Sequence, residues 1–166
     1  MEHDSERVVR RLVEEFFNDG NYEVADELYA PTFASHAWWH SPVEMASGQQ
    51  MSEGEESTPD NEKAGLRFWK EHFPDSHWQI EELFTAQNPG DAGGADRLVT
   101  LWSNTGTSTD GRTFAIKGVD IYRFEGGKIA EVWSTWDRLG FWQQMGLVPS
   151  TADLRAAADA SRAVST

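Results

Sequence analysis

"GVDIYRFEGGKIAEVWSTWD", residues 118–137, reads as two strands joined by a tight turn. The Gly126-Gly127 pair supplies the two φ > 0 positions that a two-residue hairpin prefers. Strand alternation then sorts the side chains. Asp120, Tyr122 and Phe124 share one face of the first strand, and Val119, Ile121 and Arg123 share the other. In the second strand, Ala130, Val132, Ser134 and Trp136 alternate with Glu131, Trp133 and Thr135. Both faces carry apolar groups, so Asp120 is expected either in a cavity or at an interface between copies. A carboxylate in such a setting is costly unless it is paired, solvated or used in chemistry. Asp137 ends the second strand and is expected to cap the helical turn "RLGFWQQMG" that follows.

Working outward from this hairpin, "HWQIEELFTAQ", "DRLVTLWSNTGTST" and "RTFAIKGVDIYRF" share its period of two, which gives four strands with "KIAEVWSTWD". The N-terminal part has helical periodicity instead. "DSERVVRRLVEEFFNDG" places Val8, Val9, Leu12, Val13, Phe16 and Phe17 on one face, with Asp4 or Ser5 as cap and Gly20 as exit. A short second helix runs through Val24, Ala25, Leu28 and Tyr29 until Pro31 stops it, and "FASHAWWHSP" reads as irregular. Residues 46–58 form a polar, acidic loop insertion. Thr58-Pro59 starts a third helix that is expected to bury Ala64, Phe68 and Trp69. Helices followed by an antiparallel meander make one α+β domain over residues 1–149, with helices on one sheet face. The tail, 150–166, has no apolar stripe to dock and is expected to be mobile.

Composition narrows the function classes. The 166 residues carry 28 acids against 14 bases, a net charge of −14. That balance argues against nucleic acid, which requires phosphate neutralisation, and against an anionic membrane surface. Acid excess with only four lysines is also the surface expected of a protein kept soluble in a high-salt, halophilic cytoplasm. There are no cysteines, no long apolar run and no apolar leader at the N-terminus, so a cytoplasmic location is expected. Eight tryptophans and nine phenylalanines suit a fold that lines a cavity, or a well-filled core.

Signatures of common chemistries are missing: there is no Gly-rich phosphate loop, no nucleophile elbow and no Walker lysine. His36 and His40 stand four apart in "HAWWH", but no acid lies at matching spacing and no metal site is expected. His72 and His77 are expected at the surface. Asp120 remains as the strongest chemical candidate. Held among aromatic walls, its pKa rises by desolvation, and such a group can take a proton next to a carbonyl or return one to a developing enolate. A backbone-bound or Arg-paired structural aspartate is the alternative.

The block containing Gly118, Asp120, Tyr122, Arg123, Gly127-Lys128-Ile129, Glu131, Trp133, Asp137 and Gln144-Met145-Gly146 resembles the C-terminal signature of the SnoaL-like polyketide cyclases (ester cyclases), within the nuclear transport factor 2-like superfamily. The resemblance extends over about residues 5–148. It implies a cone, in which a strongly curved antiparallel sheet packs against N-terminal helices and encloses a pocket. It also implies a cofactor-free intramolecular aldol closure driven by an acid/base side chain. Aligned on this block, the family's pocket Asp on the last strand falls at Ser134 and its His on the preceding strand at Asp120, so the carboxylate stands across the hairpin. Relatives often carry a His near His36, at the pocket mouth.

The expected function is therefore a cyclase- or isomerase-type enzyme without cofactor or metal, acting on a small apolar carbonyl compound. Asp120 is the expected catalytic residue, and His36, Trp102, Tyr122, Trp133, Ser134, Trp136 and Asp137 are the expected ligand-binding residues. The alternative is a non-catalytic small-molecule-binding protein of the same fold. A homodimer through the face that bears Val119 and Ile121 is expected with either.

Overall fold

A computed structural model describes residues 4–37, 55–86 and 97–164. The first helix, α1 (Asp4–Arg11), continues as a π-helical segment, Leu12–Asn18, in which the amide of Asp19 reaches back to the carbonyl of Glu14. Runs of π-helix are rare and often stand at functional sites. Here Leu12 and Phe16 enter the core, while Asn18 bonds both backbone groups of Trp78 (Nδ2 to O 2.9 Å, N to Oδ1 2.8 Å). That two-point bond fastens the helix to an edge strand and occupies polar groups that would otherwise be open to another chain.

Next come α2 (Val24–Leu28), β1 (Tyr29–Ala37), β2 (Glu55–Ser57), α3 (Pro59–His72), β3 (His77–Ala86), β4 (Arg97–Thr107), β5 (Thr113–Glu125), β6 (Lys128–Trp136), α4 (Arg138–Gln144) and α5 (Thr151–Val164). The six strands form one sheet in the order β2-β1-β6-β5-β4-β3. The expected α+β arrangement is present, and the four-strand antiparallel meander β3–β6 makes up one side of the sheet, with β3 at its edge. Beyond the meander the sheet is mixed, because β1 runs parallel to β6 and β2 pairs antiparallel to β1.

Two segments not read as strands from sequence are strands: Tyr29–Ala37, whose first residue was expected in the second helix, and Glu55–Ser57, expected in a loop. Tyr29–Ala37 hid its period because Pro31 falls within a register shift against β6, between Tyr29 and Ala34. Proline cannot donate to a ladder, and a bulge tolerates it. Glu55–Ser57 is too short to show a period, and its neighbours are polar. Trp38 to His40 and residues 46–54, including most of the expected loop insertion, lie outside the described residues.

The start of α3 matches the sequence reading: Thr58 Oγ1 accepts from the amide of Asn61 at 3.3 Å and Pro59 opens the helix. Its buried stripe is rotated, however, to Pro59, Lys63, Leu66 and Trp69. Ala64 is exposed and Phe68 is 63 % exposed, contrary to expectation. Lys63 occupies the stripe because Asp26 (2.7 and 2.8 Å) and Asp60 (3.1 Å) bind its ammonium while its stem packs inside. The side chains described along α5 are exposed. No described helix is long and apolar enough to cross a membrane.

Gly126 and Gly127 turn the β5–β6 hairpin with φ of 57° and 78°, the pair of positive values expected there. Gly118 serves differently, since a Cβ at this position would collide with the Trp102 indole lying over the strand. Gly118→Ala should therefore destabilise the fold by about 1–3 kcal/mol through overpacking. A lowered urea midpoint would verify this, and a wild-type midpoint would show that Trp102 moves aside freely.

Candidate functional site

The inward residues of the meander and the helices facing them enclose one cavity. Val13 and Phe17 reach it from the first helix, and Trp69 from α3. Trp78 and Ile80 come from β3, Thr100, Trp102 and Asn104 from β4, Ile116, Asp120 and Tyr122 from β5, and Ser134 and Trp136 from β6. The π-helical turn aims Val13 and Phe17 inward, and Phe17 stacks on Trp78 at 5.2 Å. About 60 Å³ is open to the centre of a water molecule. One water needs roughly 10–15 Å³ by that measure, so the space holds several waters or part of a small organic molecule.

The walls are aromatic but not dry. Trp69 Nε1, Thr100 Oγ1, Trp102 Nε1, Asn104 Oδ1 and Asp120 Oδ1 are all buried and lack a hydrogen-bond partner among the described residues. Buried polar atoms are nearly always satisfied, so these five atoms around one cavity are hydrogen-bonding capacity that the described protein groups leave unused. They include two indole donors, one hydroxyl and two acceptors.

Asp120 sits opposite Ser134 in the β5–β6 register and opposite Thr100 in the β4–β5 register. Tyr122, two residues on, donates its hydroxyl to Asp120 Oδ2 at 3.0 Å. Burial pushes the Asp120 carboxyl above the ordinary range, and the nearby Ser134, Trp102 and Tyr122 pull it part of the way back. Burial likewise drives Tyr122 well above its usual value, with the charge of Asp120 adding to the rise. Tyr122 therefore stays protonated and remains a donor.

Of the residues expected from sequence, Asp120, Trp102, Tyr122, Ser134 and Trp136 meet in this cavity. His36 and Trp133 do not. They stack at 4.8 Å on the opposite sheet face, where His36 Nε2 lies 2.9 Å from Glu131 Oε1 and Arg97 covers Trp133 at 4.3 Å. Alternation had already set Trp133 opposite to Ser134. His40 lies outside the described residues. Asp137, which was also expected to bind ligand, does not line this cavity; it caps α4, accepting from the amide of Gly140 at 2.8 Å.

Glu62 was missed. It stands on the inner side of α3, and its carboxyl end is withdrawn from solvent. Ser57 Oγ donates to Glu62 Oε1 at 3.4 Å. Burial is the largest influence and Asp120 adds to it; the carboxyl is pushed up to about 7 despite the serine. The sequence signal was its 3-4-3 spacing with Pro59, Leu66 and Trp69. Trp69, Thr100 and Asn104 were also unremarked as site residues, because only the folded sheet brings their polar atoms together.

These features and the helix-then-meander topology define the nuclear transport factor 2-like class of α+β proteins. The chain belongs to the SnoaL-like polyketide cyclase family, whose model matches residues 7–145. A candidate polyketide cyclase from Acidithiobacillus ferrooxidans is 26 % identical, covering 87 % of this chain and 95 % of its own with a TM-score of 0.62. IdmH, a candidate polyketide cyclase from Streptomyces antibioticus, is 22 % identical over 87 % and 99 %, with a TM-score of 0.66. AclR, a candidate hydroxylase from Streptomyces galilaeus, is 15 % identical over 99 % and 96 %, with a TM-score of 0.67. The last two likenesses concern fold alone. No curated protein matches the chain.

The raised Glu62 makes stability pH-dependent. Unfolded, it ionises near 4.5; folded, near 7. Between those values the folded state keeps a proton that the unfolded state has released. Stability is thus greatest below the lower value, falls as pH rises through the window and levels off above it. The loss is of the order of 3 kcal/mol, and Asp120 acts in the same direction. Urea unfolding at pH 5 and pH 8 should show this decline in wild type and a smaller one in Glu62→Gln. Equal declines in both would exclude Glu62 as its source.

Proposed function

We propose that the protein is a cofactor-independent cyclase- or isomerase-type enzyme in which Asp120 moves a proton on a small, largely apolar carbonyl compound held in the cavity. The observation that carries this reading is the unpartnered Asp120 Oδ1 in the same cavity as the unpartnered indole donor of Trp102. A base and a donor to oxygen are what enolate formation requires.

In the proposed reaction, Asp120 Oδ1 accepts the proton on the carbon next to a carbonyl. The C–H electron pair becomes the enolate, and the Trp102 N–H donates to its oxygen. In a cyclisation the enolate carbon attacks a second carbonyl carbon of the same molecule, forming the C–C bond. The displaced π pair becomes an alkoxide, to which Asp120 returns its proton, so atoms and charge balance without a co-reactant. Tyr122 holds the other carboxylate oxygen and keeps Oδ1 aimed at the guest. The aromatic walls exclude water and hold the chain folded for closure.

A second reading, a non-catalytic small-molecule-binding protein, is favoured by Ser134, which lines the cavity where the family alignment places a carboxylate. In either case the chain works as a homodimer. The outer sheet face carries the half-buried Val99, Leu101, Val119, Ile121 and Trp133, an apolar stripe suited to a second copy.

The chemistry is tested by NMR in D2O, following exchange of the α-protons of a cyclic 1,3-diketone. Wild type should accelerate exchange over buffer. Asp120→Asn should lose about 100-fold or more, and Trp102→Phe a smaller factor, with unchanged circular dichroism. Exchange at the wild-type rate in Asp120→Asn would refute the enzyme reading, while diketone binding without exchange in wild type would support the binder. Light scattering should give twice the 18.7 kDa chain mass for wild type and a monomer for Ile121→Glu. A monomeric wild type would refute the dimer.

A further inference from the structure

The unpartnered polar atoms of the cavity do not all lie beside Asp120. Asp120 faces Thr100 and Ser134 in register, and Trp102 stands one inward step along β4, opposite Gly118. Asn104 is one inward step further, opposite Ile116 on β5 and Trp78 on β3. Four residues of antiparallel strand separate it from Thr100, about 13 Å along the sheet. Trp69 covers this second end from α3. Its ring lies 5.9 Å from that of Trp78 and 5.6 Å from that of Phe114, two residues before Ile116.

Asn104 and Trp69 are 1 % and 9 % exposed, and both line the cavity. Asn104 Oδ1 and Trp69 Nε1 nevertheless have no partner among the described residues, and the proposed chemistry uses neither. Leucine would fill the volume of Asn104 among these apolar neighbours without leaving a polar atom to satisfy. A carboxamide oxygen only accepts and an indole N–H only donates. A hydroxyl does both, so one hydroxyl donating to Asn104 Oδ1 and accepting from Trp69 Nε1 answers the two atoms together. Between this end and Asp120 the walls are Phe17, Ile80, Ile116 and Trp136, which suit a flat apolar body.

Resting on the assignment of Asp120 as the reactive end, we propose that Asn104 and Trp69 form a hydroxyl-binding subsite at the other end of the cavity, and that the substrate is a flat hydroxyaryl carbonyl compound with its hydroxyl held there and its carbonyl beside Trp102. Allowing about 3 Å for the contact at each end leaves roughly 7 Å between the hydroxyl oxygen and the reacting carbon, which matches a para-hydroxyphenyl ketone. The subsite selects by what it leaves unpaired. A guest with a methyl group in place of the hydroxyl buries both polar atoms without a partner.

The test is calorimetric titration of the full-length protein with para-hydroxyacetophenone and with para-methylacetophenone, which has the same shape but no hydroxyl. Wild type should bind the hydroxyl compound about 10-fold tighter or more. The near-isosteric Asn104→Leu should abolish that preference while binding the methyl compound at least as well as wild type does, which tells loss of the subsite from loss of the fold. Trp69→Phe should reduce the preference, and it decides the matter if Asn104→Leu binds neither ketone. Equal affinities in wild type, binding of neither ketone by wild type, or an undiminished preference in the variants would overturn the proposal. Exchange of the methyl-ketone protons of para-hydroxyacetophenone in D2O separates the two ideas. A hydroxyl preference with exchange that Asp120→Asn leaves intact refutes only the catalytic role of Asp120, and Asp120-dependent exchange with equal affinities refutes only the subsite.

Discussion

The hydrogen bond from Tyr122 to Asp120, 3.0 Å between neighbours two apart on one strand, is the contact around which the rest is arranged. It requires both side chains to point inward from β5, which strand alternation provides. It also requires Tyr122 to remain protonated, which burial ensures. One carboxylate oxygen is thereby held, and the other is left facing the cavity without a protein partner. Gly118, one inward step earlier on the same strand, leaves room for the Trp102 indole beside that oxygen. The floor of the site is thus built from consecutive inward positions of one strand and their cross-strand neighbours Thr100, Trp102 and Ser134.

The helices close this floor from above and are held to it by their buried side chains. Phe16 and Leu12 are fully buried against the sheet, while Phe141 packs with Trp69, Phe73 and Phe114 in an aromatic cluster at one end. Asp137 starts the helix that carries Phe141, so a residue at the strand end shapes the cavity wall without entering the cavity. A carboxylate can be structural or chemical within one hairpin, and the difference lies in its partners. Asp137 is exposed and satisfied by an amide, whereas Asp120 Oδ1 is buried and free.

The meander was legible in sequence because its strands alternate cleanly and its turns carry glycine at positions needing φ > 0. Alternation grouped Asp120 with Tyr122 and Ser134 with Trp136, and set Trp133 on the other face from Ser134, but it left open which face lines the cavity, so Trp133 was still expected there. β1 was illegible because a proline-containing register shift broke its period, and a parallel pairing across the fold leaves no local mark. With β1 misread, His36 could be aligned to a family position but not assigned to a face. The rotation of α3 was hidden because Lys63, a charged residue, takes a core position through ion pairs that only folding brings together. Glu62 lies on that rotated stripe and was lost with it. Membership of the SnoaL-like family accounts for the fold, while within the cavity Asp120 and Ser134 stand opposite each other across the β5–β6 hairpin.

The most direct measurement is a crystal structure of the protein soaked with a cyclic 1,3-diketone. The diketone should lie in the cavity with one carbonyl oxygen within hydrogen-bond reach of Trp102 Nε1 and the carbon between its carbonyls against Asp120 Oδ1. A diketone bound on the outer sheet face, or Asp120 Oδ1 turned away to bond the protein while the cavity is filled, would contradict the assignment of this cavity as the reactive site.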